Sequence, residues 1–530
     1  MAWFTPKPLL LPDIIALNAA YLNRKTAFVD CGRDDRGRRI SWAEFGTGTN
    51  RVANALTAAG LVKGDRVVVL MKNSYAMVEA MYGVIRGGFV AVPLNVAITD
   101  EAVAAMIGNS GARAVIASDE HIERIERLRA SLPKALGDRL IGLDCAIQGW
   151  RDYAEFVRDA SSEDPAVSLA PGDECNIIYS SGTTGLPKGI VHDHACREAW
   201  GSDMAVPLRY HSGARTLCNL GLFSNISWVA MLATIYAGGR IVIDRQFSPE
   251  RCLERIQQER ITHTAMVPLQ FQKLVECGSL PDYDLSSLDA YMCCGSPLAP
   301  ALKRRIMDRL PGDLIELYGL TEGLVTILSP EDMADKIDSV GRPSPGQRLA
   351  ILDASDGLQS GHHLSDSPGE IVGHSRFMMA GYHDNDEANE EATWVHPDGS
   401  RWLRTGDIGR FDADGFLYLV DRKKDMIISG GQNVYPADIE AVMLEHEAVS
   451  EVAVIGIEHE KWGETPLAVV VAAADEQTAD DITAWTNART GKQQRISGTV
   501  LVRELPRNPN GKVLKRELRK TYAGFGGKGA

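Results

Sequence analysis

The stretch YSSGTTGLPKGIVH (179–192) crowds four hydroxyls, Ser180, Ser181, Thr183 and Thr184, and one ammonium, Lys188, into nine residues. Gly182, Gly185 and Gly189 lie among them, and a residue without Cβ lets the backbone approach a ligand closely. Bare N–H groups, hydroxyl donors and a cation can therefore converge on an anion, which is the chemistry of a phosphate cradle. The common nucleotide-loop pattern G-x-x-x-x-G-K-[ST] is absent, because Pro187 precedes Lys188 and Gly189 follows it. A grip other than that of a P-loop NTPase is implied. Taken alone, the same residues also suit an ordinary turn, and their company has to decide between the two.

The elements that must hold such a loop are visible on both sides of it. Short runs rich in Val and Ile, DRVVVLM (65–71), GFVAVPL (88–94), ARAVIAS (112–118) and GRIVIDR (239–245), recur between amphipathic stretches. Between the first two, NSYAMVEAMYGVIRGG reads as a helix closed by glycines. The alternation predicts βαβ units and an α/β fold, a large N-terminal body of mainly parallel sheets flanked by helices. After about residue 365 the texture changes to short strands with Asp/Gly turns, DADG (412–415) among them. YPADIEAVMLEHEAV (435–449) has apolar residues at helical spacing, and AVVVAAA (468–474) reads as a buried strand. The charged stretch DRKKD (421–425) predicts the boundary: a body over 1–421, a hinge at 422–425 and a small mobile α+β domain over 426–530.

The bulk properties bound the partners. With 530 residues, 45% apolar and 24% charged, the chain has ample material for a folded core. A formal charge of −14 argues against a nucleic-acid or anionic-membrane surface and leaves a small molecule as the expected partner. The N-terminus lacks a basic segment and cleavage pattern, so it reads as mature protein, and no run has the length of a membrane span. Nine cysteines without C-x-x-C or zinc spacing predict reduced thiols in a cytoplasm. Twelve histidines include no H-E-x-x-H, so a resident transition metal is not expected.

Downstream of the loop stand, in order, YGLTEG (318–323), RTGDIG (404–409), DRKKDMIISGGQNVYP (421–436) and PRNPNGKVLKREL (506–518). With the loop they resemble the adenylate-forming superfamily of acyl-CoA synthetases, carrier-domain adenylation modules and beetle luciferases, most like the acid:CoA ligases. The resemblance runs from SWAEF (41–45) through Lys512. It implies a two-step reaction: a carboxylate attacks the α-phosphate of ATP, giving an acyl-adenylate and pyrophosphate, and the thiol of CoA then displaces AMP. Bringing one anion to another needs positive charge and a metal to shield the phosphates, since positioning and electrostatics are most of what a protein supplies here.

What the resemblance implies for single residues is specific. Ser180, Ser181, Gly182, Thr183, Thr184 and Lys188 would hold the phosphates of ATP. Glu322, with Thr184, would hold Mg²⁺, a hard cation that favours oxygen ligands, and Thr321 would lie beside the α-phosphate. Tyr318 would stack on adenine next to Gly295, Ser296 and Pro297, with Gly319 among the nucleotide-binding residues. Asp407 would accept from the ribose hydroxyls, with Arg422 near the ribose and phosphate. Lys512 would bridge the carboxylate and phosphate during adenylation. Lys424 matches the family's pivot position, and Ser429, Gly430 and Gly431 the loop that meets CoA. Lys515, Arg516 and Arg519 read as a solvated helix face. The partners implied are a carboxylic acid and CoA, with room for a homodimer.

The acyl pocket departs from the family's pattern. Many relatives carry P-x-F-H, whereas GLFSNISW (221–228) has Gly221 for the proline and Ser224 for the histidine that usually gates the pocket. Phe223, Ile226, Trp228 and Ala230 are the candidate walls, and they suit an aromatic or medium-length apolar acid. Core packing is the rival account of each. Three rival functions remain at this level: adenylation that loads a separate carrier protein, a luciferase-like oxygenase, and a non-catalytic nucleotide-binding regulator.

Overall fold

The computed structural model describes residues 8–31, 37–180, 187–353, 357–358, 367–430, 432–459, 461–473, 478–492, 494–507 and 512–525. These fall into two compact units. The first comprises Met1–Ile337, Ser344–Gln347 and His374–Ala392, and the second Asp338–Pro343, Arg348–Gly373 and Thr393–Ala530.

In the first unit, alternation along each strand decides which face is buried against what. Along Arg66–Leu70, Val67 and Val69 join one apolar cluster while Val68 and Leu70 join another. The neighbouring strands Val90–Pro93 and Ala114–Ala117 divide their residues in the same way. Both faces are covered, which is why these strands read as unbroken apolar runs. The sheet they belong to runs Gly381–Tyr382, Lys188–Asp193, Glu174–Ser180, Val90–Pro93, Arg66–Leu70, Ala114–Ala117, Leu140–Gly142, Arg151–Asp152. It is parallel from Glu174–Ser180 onward, and Lys188–Asp193 is antiparallel to both its neighbours.

A second sheet of this unit places Asp313–Gly319, Ala290–Cys294, His263–Met266, Arg215–Cys218, Arg240–Ile243 and Thr26–Asp30 side by side and parallel. The expected helix forms over Tyr75–Arg86, with Ser74 accepting from the Met77 amide and the chain leaving at Gly87. The expected parallel α/β body is thus present.

The second unit holds two antiparallel-rich sheets. One joins Arg348–Leu352, Gly369–His374, Arg401–Phe411 and Thr393–Val395, with Leu417–Arg422 paired to Arg401–Phe411. The hairpin turn at 412–415 forms because the Asp412 carboxylate accepts from the Asp414 and Phe416 amides. The other sheet orders Gln432–Val434, Ile427–Ser429, Gly463–Ala472 and Val449–His459, with Thr499–Val502 added in parallel. Ala468, Val469 and Val470 are buried, as a strand there requires. The helix expected over 435–449 is shorter, Pro436–Met443. His446 turns the chain by accepting from the Ala448 amide, and Val449 opens the next strand. Asp421 and Arg422 end the Leu417–Arg422 strand and 423–425 lead on to Ile427–Ser429 of the other sheet, all inside the second unit.

Candidate active site

The two strands that flank the phosphate-type loop pair with each other. Glu174–Ser180 and Lys188–Asp193 pair antiparallel with Ser180 opposite Lys188, so the loop leaves and re-enters the sheet at those two residues. Ser181, Gly182, Thr183 and Thr184 lie outside the described residues. The Lys188 ammonium sits 4.9 Å from the centroid of the Tyr382 ring. The Tyr382 hydroxyl donates to Glu322 Oε1 at 2.9 Å, and burial together with the Glu322 charge pushes the phenol far above its usual range. Three residues distant in sequence thus form one array, cation, ring and carboxylate.

Tyr318, Gly319, Thr321 and Glu322 are set by a second hairpin. Asp313–Gly319 turns back into Val325–Leu328, with Gly319 opposite Val325. Gly323 closes the turn at φ +122, and a Cβ there would overlap the Phe377 carbonyl, so only glycine fits. The Glu322 carbonyl accepts from the Met379 amide at 2.8 Å, which fixes the residue between the turn and the segment leading to Tyr382. Ala290–Cys294 runs parallel to Asp313–Gly319 and delivers Gly295, Ser296 and Pro297 beside Tyr318 at the carboxyl ends of adjacent strands. Ligand crevices of open α/β sheets form at such strand ends.

The acyl-segment residues divide. Ser224, which replaces the family's histidine, is the N-cap of helix Asn225–Tyr236 and accepts from the Ile226 amide at 3.3 Å. Phe223 and Ile226 are half-buried, and a Cβ on Gly295 (φ +100) would lie 2.9 Å from Ile226 Cδ1. Trp228 and Ala230 are wholly buried; Trp228 stacks on Tyr82 with ring centroids 5.9 Å apart.

Within the second unit, Asp407 and Arg422 are register partners on paired strands, with Arg422 Nε 3.1 Å from Asp407 Oδ1. Burial, aided by the Arg422 charge, pushes the Lys512 ammonium down to about 8, while Asp407 and Asp425 pull the other way. Four charged residues from three separate motifs therefore share one electrostatic neighbourhood. The basic run after Lys512 is not a solvated face throughout. Lys515 pairs with Glu440 at 2.7 Å and Arg519 with Asp425 at 2.8 Å, which ties helix Lys515–Tyr522 down beside Lys512. Charge type alone could not distinguish pinned from solvated lysines.

Lys424 is exposed in a turn closed by the Asp425 and Met426 amides donating to the Arg422 carbonyl. Ser429 ends the strand Ile427–Ser429, and Gly430 (φ +59) donates its amide to the Trp462 carbonyl, with the indole where its Cβ would be. Gly431 lies outside the described residues. Tyr382 and His192 in the first unit, and separately Trp462 in the second, carried no signal in spacing, since each meets its partner from a position remote in sequence.

For a hard cation, Glu322 offers the appropriate donor type, a carboxylate oxygen. The other candidate group among the described residues, His211, His263 and Asp289, lies elsewhere. His263 opens its strand, at the edge opposite the strand ends just described, and its two nitrogens contact the Thr262 hydroxyl and the Arg209 carbonyl.

Comparison with known proteins fits this geometry. A family model described as "AMP-binding enzyme" matches residues 16–383, and one described as "AMP-binding enzyme C-terminal domain" matches 438–512. The chain is 34% identical over 507 residues to the long-chain-fatty-acid CoA ligase FadD13 of Mycobacterium tuberculosis, covering 94% of this chain and 96% of that protein. It is 32% identical over 492 residues to a feruloyl-CoA synthase of an Amycolatopsis species, covering 92% and 94%. Among solved structures, ATP-bound MatB from Rhodopseudomonas palustris matches over 97% of this chain and 99% of its own, with a TM-score of 0.87 and 25% identity.

Proposed function

The chain belongs to the AMP-binding enzyme family, as an AMP-forming acid:CoA ligase type of enzyme, and on that premise we propose that it activates an aromatic or medium-length apolar carboxylic acid. The acid becomes an acyl-adenylate with release of pyrophosphate, and CoA then takes the acyl group with release of AMP. The observation that carries the substrate class is the half-buried apolar pair Phe223 and Ile226, with Ile226 against Gly295 at the strand ends that bear Tyr318 and Glu322. Relatives named for long-chain fatty acids and for feruloyl-CoA show that both aliphatic and aromatic acids occur as substrates in this family.

In this reading Lys188 and the loop before it bind the β- and γ-phosphates. Tyr318 and the Gly295–Pro297 segment (295–297) flank adenine, and Asp407 accepts from the ribose. Glu322 and Thr184 would hold Mg²⁺, which supplies charge neutralisation on the phosphates when bound. Tyr382 orients Glu322 through its hydroxyl. Ser429, Gly430 and Gly431 meet CoA. Nine free thiols suit a reducing, cytoplasmic setting, and no helix among the described residues is long and apolar enough to cross a membrane.

Pyrophosphate and AMP formation measured across aryl, cinnamyl, arylacetic and aliphatic acids, each with and without CoA, tests the proposal. Turnover requiring both an aromatic or medium-length acid and CoA is the expected result. A single burst indifferent to CoA would replace CoA by a carrier-protein thiol. Lys424 is the proposed pivot between half-reactions, so Lys424→Pro should uncouple adenylation from thioester formation. Both half-reactions proceeding at wild-type rates in that variant would remove it from the role.

A further inference from the structure

Arg197 is a fully buried guanidinium whose hydrogen-bond partners among the described residues are all neutral. Its helix, His194–Ala205, begins at the end of the Lys188–Asp193 strand, where the Asp193 carboxylate caps it by accepting from the Cys196 amide at 2.7 Å. One turn in, Arg197 donates from Nε to Asn176 Oδ1 at 2.7 Å and from Nη1 to Asn225 Oδ1 at 2.8 Å. Nη2 lies 3.1 Å from His192 Nδ1, and the guanidinium packs 4.7 Å from the centroid of the Trp228 ring. A buried cation without a carboxylate is costly, and a packed apolar residue would be the cheaper way to fill this space.

Two consequences follow from the fact that a guanidinium can only donate. His192 Nδ1 must accept, so the imidazole carries its proton on Nε2 and donates it to the Thr321 carbonyl at 2.8 Å. Burial and the Arg197 charge both keep this histidine neutral. At the other end Asn225 is held with its carbonyl oxygen inward, which turns the amide NH₂ to the opposite side. Asn225 is half-buried in the same acyl segment as Phe223 and Ile226, and its NH₂ donates to none of the described residues.

We propose that Arg197 is a positioning residue that serves both substrates: it aims the Asn225 NH₂ into the acid pocket and locks the His192 tautomer that holds the Thr321 carbonyl beside Glu322. The inference rests on the acid:CoA ligase reading of the 221–230 segment. It narrows the substrate class to acids whose body carries an acceptor oxygen, a methoxylated or hydroxylated aryl acid rather than a bare hydrocarbon one. Trp228 and Tyr82, stacked behind the guanidinium, keep it from relaxing away.

The test compares wild type, Arg197→Met, Arg197→Lys and Asn225→Leu, using cinnamate and 4-methoxycinnamate as matched acids. KM and kcat are measured for each acid and for ATP, with a thermal melt for each variant. Wild type should prefer the methoxylated acid. Asn225→Leu should erase that preference, a KM change of about tenfold for one lost hydrogen bond with its buried partner left unpaired, and leave the ATP KM unchanged. Arg197→Met should erase the preference and also raise the ATP KM, with Arg197→Lys giving partial recovery at most, because an ammonium cannot span three acceptors in one plane. Wild-type KM values for both substrates in Arg197→Met, at a lowered melting temperature, would make Arg197 a packing residue and overturn the proposal.

If Arg197→Met fails to fold, two readouts remain decisive. An unchanged acid preference in Asn225→Leu, or a wild-type ¹⁵N-histidine spectrum with His192 protonated on Nδ1, would each overturn it. A wild-type enzyme that forms no AMP from any acid and CoA would sink the ligase reading instead. Equilibrium ATP binding to wild type and Arg197→Met would still report the His192 arm.

Discussion

Lys512→Ala should lower the rate of acyl-adenylate formation by about 10²–10³-fold while leaving thioester formation from a preformed acyl-adenylate within about threefold of wild type, the range seen when one preorganised charge at a transition state is removed. The physical reason is local. Lys512 stands near Arg422, Asp407 and Asp425, in surroundings that depress its ammonium to about 8. At pH 7 such a group keeps its charge in about nine-tenths of molecules. That charge is what an approaching carboxylate and a phosphate would share, and the neighbouring Lys515 charge adds to the pressure that lowers it.

The sign of the pH dependence follows. The charged form is the active one, so kcat/KM for adenylation should fall as pH rises through about 8, since that ratio reports the free enzyme. Lys512→Arg stays charged at every accessible pH and should lose this decline, whatever its absolute rate. For stability the sign is opposite. A lysine whose folded pKa lies below its unfolded one favours the neutral form when folded, so its contribution to stability improves as pH rises between the two values. Equal loss in both half-reactions, or an adenylation profile flat through pH 8, would take Lys512 out of the bridging role.

The second large effect is on the body itself. Lys303, on helix Pro300–Arg309, and Glu316, on strand Asp313–Gly319, form an ion pair at 2.5 Å with both side chains almost wholly buried. Lys303 also donates to the Ile337 carbonyl. Burial pushes the Glu316 carboxyl up and Lys303 opposes it. Removing one partner strands the other, so Lys303→Met should destabilise the protein by about 3–5 kcal/mol. Glu316 lies two residues before Tyr318, and the helix follows directly on Gly295, Ser296 and Pro297, so ATP affinity should fall with stability.

Titration separates this cause from simple loss of packing. In Lys303→Met the unpaired carboxyl has a folded pKa above its unfolded one, so the penalty vanishes at low pH, where both states are protonated. It grows as pH rises past the ordinary carboxylate value of about 4.3. Lys303→Met with Glu316→Gln should recover much of the stability and remove the pH dependence. A destabilisation that is independent of pH, or unrelieved by the second change, would mean that the pair matters for shape and not for charge.

Much of this enzyme could be read from residue order alone. The α/β body followed from short Val/Ile runs alternating with amphipathic stretches, because strands buried on both faces leave no room for polar alternation. The family chemistry followed from motifs whose members are neighbours in sequence: a hairpin tip such as 318–323 carries its own geometry, since the turn and its glycine are local. The replacement of a histidine by Ser224 was visible as a departure, but its use as a helix N-cap became clear only with the helix in place.

What tertiary structure decided was every pairing across distance. Tyr382 reaches Glu322 and the ring meets Lys188 because the Gly381–Tyr382 strand adds to the edge of the Lys188–Asp193 strand, a neighbour relation that no periodicity encodes. His192 meets Thr321 across 129 positions, and Arg197 meets Asn225 across 28, since helix packing brings together what the chain separates. Lys515 and Arg519 read as solvent-facing until Glu440 and Asp425 were seen beside them. Local spacing determines which groups are available, because propensity and turn chemistry act over a few residues; which of them share an electrostatic field depends on strand order and helix packing, and those are properties of the whole buried core.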